Sequence, residues 1–314
     1  MTIGSVRLTF NRTDRVPDDL IEHTLPPGRG SFKVFRVSDY HDKLPGSWDR
    51  DGIFLPIHDV EAMWIGFGAT NYRKPNALLI GAGGINAITG QRLGTRLQEG
   101  NYLVVPPQPW IDGWKTPDGS VRQFVATFHK AGKGLTVAEQ LIGTESTTGA
   151  LGIATYELKN PLPEHRVEKL TYKSLSTKGT PKLGGYLNVP QINLVTMDAC
   201  LAVPRASNQS YSAEMGLGAG GSITQKIYPD PYGLSEWKPE PTALLSIYFV
   251  DAISFGELIG VTFPKPLTSK EMQHPGFKLH DGHLADNPGS HKFKAVKSVL
   301  TVPPALKTGA FLDD

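Results

Sequence analysis

The sequence has a single cysteine, Cys200, among its 314 residues. One cysteine cannot form an intramolecular disulfide, and it is too few for a structural zinc site built on thiolates. No apolar run approaches the roughly 18 residues that a membrane-spanning helix needs. The N-terminal segment also lacks the charged start and long apolar core of a secretory signal. We therefore expect a cytoplasmic protein with no membrane partner.

A net charge of one sign is lacking as well, because 32 basic and 30 acidic residues leave a formal charge of +2. Such a balance provides no strong field for a polyanion. The basic residues between positions 166 and 182 could contact phosphates, but a solvated linker explains them better. We therefore expect no nucleic-acid partner.

Motifs that are specific for an enzyme are missing too. The Gly-x-Ser-x-Gly nucleophile elbow is absent, and Cys200 lies in an apolar run that favours a buried, structural thiol. Residues 81–84 (GAGG) lack the Lys-Ser/Thr of a P-loop, and Asn86 breaks the dinucleotide-binding spacing. We predict no cofactor, and only a divalent metal stays open.

What the sequence has in abundance is glycine and proline, 34 and 25 residues spread along the chain. Between them lie short runs rich in β-branched and aromatic residues, a pattern typical of strands joined by turns. The runs that predict strands are residues 33–37, 53–57, 61–67, 76–80, 102–105, 121–128, 151–158, 192–203 and 244–250. Pro56 places the second run at a sheet edge or strand end, because proline cannot donate to the ladder.

Helix signals are few. Capping-box spacing predicts short helices that begin near residues 136–139, 254–257 and 268–271, and Gly143 and Gly260 are natural stops. Many short strands with few helices favour a mainly β fold, which we expect to consist of two packed β-sandwich-like halves.

The composition also suggests where the halves begin and end. Residues 1–158 form the predicted N-terminal β domain, and residues 187–314 form the C-terminal one. Residues 159–186, rich in proline, lysine and serine, are predicted to be a linker or surface excursion. A second GAGG at residues 218–221 repeats that at 81–84 and leaves open whether the halves are a duplication.

The most unusual segment is residues 106–114, in which three prolines precede Trp110, Asp112 and Trp114. Prolines would hold this backbone extended, so the two rings could form a rigid rim that stacks on a sugar while Asp112 accepts its hydroxyls. In the alternative interpretation, Trp110 fills a core and Asp112 begins a turn with Gly113. The three ligand-binding candidates are therefore Trp110, Asp112 and Trp114.

A second cluster contains His58, Asp59 and Glu61. On a strand, Asp59 and Glu61 would share one face while His58 points away. These residues, together with Asp112, are the catalytic candidates for carboxylate or metal chemistry, with His58 as a base. A solvated edge that discourages strand pairing explains the same residues.

The densest histidine cluster contains His280, His283, Asp286 and His291. The first three of these residues could bind a transition metal such as Zn²⁺. The same stretch has the Asp-Gly and Asn-Pro-Gly sequences of ordinary polar turns. Both interpretations stay open at this point.

Four stretches of the chain carry a resemblance. They are residues 101–113 (NYLVVPPQPWIDG), 121–125, 135–141 and 215–230, the last with GAGG and QKIYPD. On these residues the chain resembles a group of uncharacterised, mostly bacterial β-rich proteins, over roughly residues 50–275, and the tail from His280 departs from that pattern. The resemblance implies that the two halves belong to a single design, and it implies no activity or site residue.

We therefore expect a non-enzymatic binding or self-assembly module on a β-sandwich scaffold. Its expected partners are further copies of itself or another protein, with a glycan as the alternative ligand. A metal- or carboxylate-dependent hydrolase that acts on a glycan or another small substrate is the alternative function.

Overall fold

The computed structural model describes residues 1–19, 21–129, 135–143, 148–163, 214–266 and 286–299. Within these ranges the chain is mainly β with a few short helices, as predicted. The strands are β1 (Thr2–Ile3), β2 (Val6–Thr13), β3 (Glu22–His23), β4 (Gly28–Ser31), β5 (Phe35–Arg36), β6 (Ile53–Ile57), β7 (Ala62–Ala69), β8 (Asn76–Ala82), β9 (Ile85–Asn86), β10 (Leu103–Val105), β11 (Trp110–Ile111), β12 (Gly113–Lys115), β13 (Ser120–Phe128), β14 (Leu151–Glu157), β15 (Glu214–Thr224) and β16 (Ala243–Asp251). The helices are α1 (Val137–Ile142), α2 (Ala252–Ile259) and α3 (Lys292–Ala295), and 3-10 turns lie at Val37–Tyr40 and Leu234–Glu236.

The apolar runs of the sequence locate most of the long strands. β6, β7, β8, β10, β13, β14 and β16 each cover a predicted run to within two residues at either end. The run at residues 33–37 is an exception, because only Phe35–Arg36 is a strand and a 3-10 turn begins at Val37. The predicted strand at residues 192–203, which contains Cys200, lies outside the described residues.

The strands pair in the order β1-β2-β7-β13-β15-β16-β14-β8-β10. The two ends of this path fold back over its middle, since β1 contacts β16 and β10 contacts β7. The sheet therefore encloses its apolar face in a sandwich-like arrangement, and alternate side chains of the long strands fill one main core. Because β13 pairs with β15, strands from both predicted halves share this sheet, and the predicted linker falls largely outside the described residues.

Pro56 lies in β6, at the place where that strand can accept a proline. β6 pairs along its full length with β16, in the parallel direction. On its other side it pairs with β5 only at Ile53 and Phe54. At Pro56, β6 is therefore paired with a neighbouring strand on one side only, as expected for a residue that has no N–H to donate.

Two of the predicted helices are present. At α1, Thr136 Oγ1 accepts from Glu139 N at 3.1 Å, and Glu139 Oε2 accepts from Thr136 N at 3.0 Å, which completes the predicted capping box. α2 ends at Gly260 as predicted, but it begins earlier, because Asp251 rather than Ser254 is the N-cap. The third, near residues 268–271, lies outside the described residues.

The two GAGG stretches occupy different structural positions. The first ends β8 and enters a tight turn, in which Gly83 has φ of +60°. A Cβ on Gly83 would lie 2.3 Å from Ala138 Cβ, so α1 packs directly on this turn. The second stretch, Gly218 to Gly221, lies inside the continuous strand β15. The shared letters therefore give no structural support for a duplication.

Candidate functional site

Residues 106–114 form a turn and two short strands. Gln108 N donates to Val104 O at 2.8 Å, so the backbone turns back after β10. The prediction that three prolines keep it extended is wrong. β11 then pairs with β7, and β12 pairs with β13. Gly113 is needed at this junction, because a Cβ there would lie 1.9 Å from Arg122 O.

Asp112 is a buried carboxyl group between two neutral donors. Its Oδ2 accepts from Trp110 Nε1 at 2.6 Å and from Gln225 Nε2 at 2.7 Å. The Asp112 N–H donates in turn to Gln225 Oε1 at 3.0 Å. Burial raises the pKa of Asp112 to about 7, and the Trp110 hydrogen bond opposes this rise. The group therefore gains or loses its proton near neutral pH.

The two tryptophans of this segment have different surroundings. Trp114 is fully buried, its Nε1 donates to Gly218 O at 3.1 Å, and its ring packs against Phe124 and Phe293. Trp110 is half-buried beside an outer apolar cluster. Of the three predicted ligand-binding residues, only Trp110 is partly exposed to solvent. The tryptophan that fills the core is Trp114, whereas the alternative interpretation had placed Trp110 there.

Lys115 and Asp286 extend the Asp112 cluster. Lys115 is fully buried, and its Nζ donates to Gln225 O at 2.9 Å and to Asp286 Oδ2 at 2.7 Å. Asp286 Oδ1 also accepts from Ile227 N at 2.9 Å. The two carboxylate oxygens of Asp286 therefore bind two different segments of the chain.

Only part of the predicted metal site lies within the described residues. Asp286 is described, whereas His280 and His283 lie outside the described residues. Among the described residues, no group of three or more His, Cys, Asp or Glu side chains is arranged to hold a metal ion. Asp286 makes an ion pair with Lys115 instead.

Residues 58–61 form the turn between β6 and β7. Glu61 N donates to His58 O at 3.1 Å, and Val60 has φ of +56°, a rare conformation for a β-branched residue. The prediction of strand alternation is therefore wrong here, and Asp59 and Glu61 do not share a strand face.

The Glu61 carboxylate closes this turn. Oε2 accepts from His58 N at 3.0 Å, and Oε1 accepts from Arg12 Nε at 2.5 Å. His58 Nε2 lies 3.0 Å from Pro264 O, to which Arg12 also donates. Burial raises the pKa of Glu61, while the hydrogen bond from His58 and the charge of Arg12 oppose the rise. Glu61 and Asp112 are thus bound to different partners.

Sequence reasoning missed the partners that make these clusters. Gln225 and Arg12 carry no motif of their own, and strand pairing brings them in from distant parts of the chain. It also missed Asp230, whose Oδ2 accepts from Tyr102 Oη at 2.6 Å and from Trp237 Nε1 at 2.7 Å. The Pro-Asp-Pro sequence around Asp230 is typical of a turn, and it is the sequence signal by which Asp230 could have been found.

A cleft of about 210 Å³ lies near this Asp230 loop. The residues that line it are Lys74, Glu157, Leu158, Lys159, Pro161 and Lys238. No pattern in the sequence marks this cleft, because its lysines come from three separate segments.

The chain matches no protein-family profile, no curated protein and no solved structure. In the part of the chain that the structure describes, no helix combines the length and apolar character needed to cross a membrane. The resemblance carried by residues 101–113 stays a prediction, and the function has to be argued from geometry.

Proposed function

We propose that this protein is a non-enzymatic binding module that assembles with further copies of itself through the outer face of α2. Three large apolar side chains are exposed there: Ile253 is 55% exposed, Leu258 is 47% exposed and Val261 is 38% exposed. They account for half of the six large apolar side chains that are exposed within the described ranges. This concentration on one helix and the turn after it is the observation that carries the proposal.

Packing and capping hold α2 and the turn after it in a fixed position. The inner face of α2 buries Phe255, whose ring packs edge-on against Phe54 with centroids 5.0 Å apart. Its N-terminus is capped by Asp251, and it ends at Gly260 in the left-handed conformation. A surface fixed in this way loses little conformational entropy when a partner binds.

We infer that the partner is a second copy of the chain, because a two-fold contact would place the same apolar residues on both sides. Ile253, Leu258 and Val261 of one copy would then be covered by the same residues of the other. The exposed Glu257 and Lys265 give the region one charge of each sign, which suits a self-complementary contact. The patch is small, so we expect weak, concentration-dependent association.

The hydrolase alternative has less support. Of its three candidate carboxylates, Glu61 and Asp112 are buried and already accept hydrogen bonds from protein donors, and Asp59 is half-buried in the turn after β6. A glycan ligand remains a prediction for the half-buried ring of Trp110.

Sedimentation equilibrium of the full chain, from micromolar to sub-millimolar concentration, tests the assembly proposal. We expect the average mass to rise with concentration, and Leu258→Glu to weaken association by about tenfold or more, since a charge would be buried at the contact. Ile21→Glu is the matched control, because Ile21 is 61% exposed on a different segment. A monomeric mass at every concentration, or equal weakening by the control, would overturn the proposal.

A further inference from the structure

The cleft near the Asp230 loop is lined by more positive than negative side chains. Lys74 precedes β8, Lys159 follows β14, and Lys238 precedes β16, so three segments each contribute one lysine to the lining. Glu157 is the single carboxylate among the lining residues. The lining therefore carries three positive charges against one negative charge, in a chain whose total charge is nearly balanced.

Backbone hydrogen bonds fix the walls of the cleft. Lys159 N donates to Glu236 O at 2.9 Å, and Lys238 N donates to Glu157 O at 3.0 Å. Behind these walls, Leu158 and Trp237 are buried in an outer apolar cluster. The backbone that carries the charged side chains is therefore packed against a buried apolar cluster.

The ammonium groups retain donors for a ligand. Lys238 Nζ donates to Glu157 Oε2 at 2.9 Å, and Lys159 Nζ donates to Ser235 O at 2.7 Å. An ammonium group has three N–H donors, and each of these contacts uses one. Lys74 also lines the cleft and is exposed.

We propose that this cleft binds a small, doubly charged phosphate group, either free phosphate or a short phosphate monoester. Lys238 neutralises Glu157, and the two remaining ammonium groups match two negative charges. The volume of about 210 Å³ is below the ~300 Å³ at which sites for drug-sized ligands begin, so the occupant is small. Pro161, which is exposed, provides an apolar side for a short carbon chain.

Isothermal titration calorimetry with inorganic phosphate and with glycerol phosphate, at fixed ionic strength, tests this site on the full chain. We expect saturable binding with one site per chain, and a loss of about tenfold or more in affinity for Lys74→Gln, whose exposed side chain can be changed without harm to the fold. Tighter binding by glycerol phosphate than by phosphate would identify the monoester as the preferred source of the group.

Two further variants separate a specific site from general charge. Glu157→Gln removes the competing carboxylate, so it should bind phosphate more tightly than the wild type does. Lys43→Gln, at an exposed lysine on another segment, should bind with unchanged affinity. Absence of saturable heat, or equal loss in Lys43→Gln and Lys74→Gln, would overturn the proposal, and neither result bears on assembly through α2.

Discussion

Glu61 and Asp112 are two buried carboxyl groups beside the same strand, and they are held in different ways. The backbone oxygens of the two residues accept from Ala126 N and Phe124 N of β13, at 2.9 Å and 2.8 Å. The Glu61 side chain faces the guanidinium of Arg12. The Asp112 side chain receives hydrogen bonds from the neutral groups of Trp110 and Gln225. The Glu61 carboxylate thus contacts a cation, whereas the Asp112 carboxylate contacts only neutral donors.

The difference shows what burial does to a carboxyl group with and without a cation. Burial raises the pKa of both groups. At Glu61 the charge of Arg12 and the hydrogen bonds from Arg12 and His58 oppose the rise. At Asp112 the hydrogen bond from Trp110 opposes the rise, no cation does, and the pKa reaches about 7. A buried carboxyl group therefore keeps either an opposite charge or its proton.

The largest effect should come from removing the cation at the first site. Arg12→Met leaves Glu61 buried without its counter-charge, so we expect the free energy of unfolding to fall by about 3–5 kcal/mol. Urea denaturation at pH 7 measures this loss.

The double variant Arg12→Met/Glu61→Gln is the control for that experiment. It should recover part of the lost stability, because no charge is then left buried. Recovery should be incomplete, since Arg12 also donates to Pro264 O. A double variant no more stable than Arg12→Met would show that the ion pair is not what stabilises the turn.

Local patterns allowed much of the fold to be predicted from the sequence. The run at residues 53–57 and the Thr136 capping box depend on neighbours a few positions away, and both are confirmed. The turn at residues 58–61 was missed because Val60 adopts positive φ, which neither its side chain nor the pattern predicts.

The two carboxyl sites could be predicted only in part. Glu61 and Asp112 were recognised as candidates, but their partners were not, since Arg12 and Gln225 are 49 and 113 residues away along the chain. Such pairs are created by strand register, and a one-residue shift would point either partner to the other face. Composition and spacing carry no information about that register.

Stability as a function of pH should distinguish the second site from the first. The pKa of Asp112 is about 7 in the folded chain, above the 3.8 of a free aspartate, so the folded state holds the proton more tightly. Its stabilising contribution is complete below about pH 4 and is lost as pH rises towards 7, by at most roughly 1.4 kcal/mol per pH unit. Asp112→Asn should therefore flatten the fall of unfolding free energy between pH 5 and pH 7.

Asp42→Asn is the matched control for this experiment, because Asp42 is exposed. It should keep the slope of the wild type. If Asp112→Asn also keeps that slope, Asp112 does not hold a proton in the folded state, and the contrast with Glu61 disappears.

The smallest effect should come from a single donor at the second site. Trp110→Phe keeps most of the ring but removes the N–H that binds Asp112 Oδ2. Because this hydrogen bond favours the charged carboxylate, its loss should raise the pKa of Asp112 further. It should cost about 1.5–3 kcal/mol at pH 8 and about 1 kcal/mol at pH 5.

Urea denaturation of Trp110→Phe at these two pH values tests whether neutral dipoles tune the Asp112 carboxyl group. Trp64→Phe is the matched control, since Trp64 is also a half-buried ring on a strand, and its effect should be the same at both values. A pH-independent loss in Trp110→Phe would mean that the indole contributes by packing alone. In that case burial would set the pKa of Asp112, and the Trp110 N–H would not affect it.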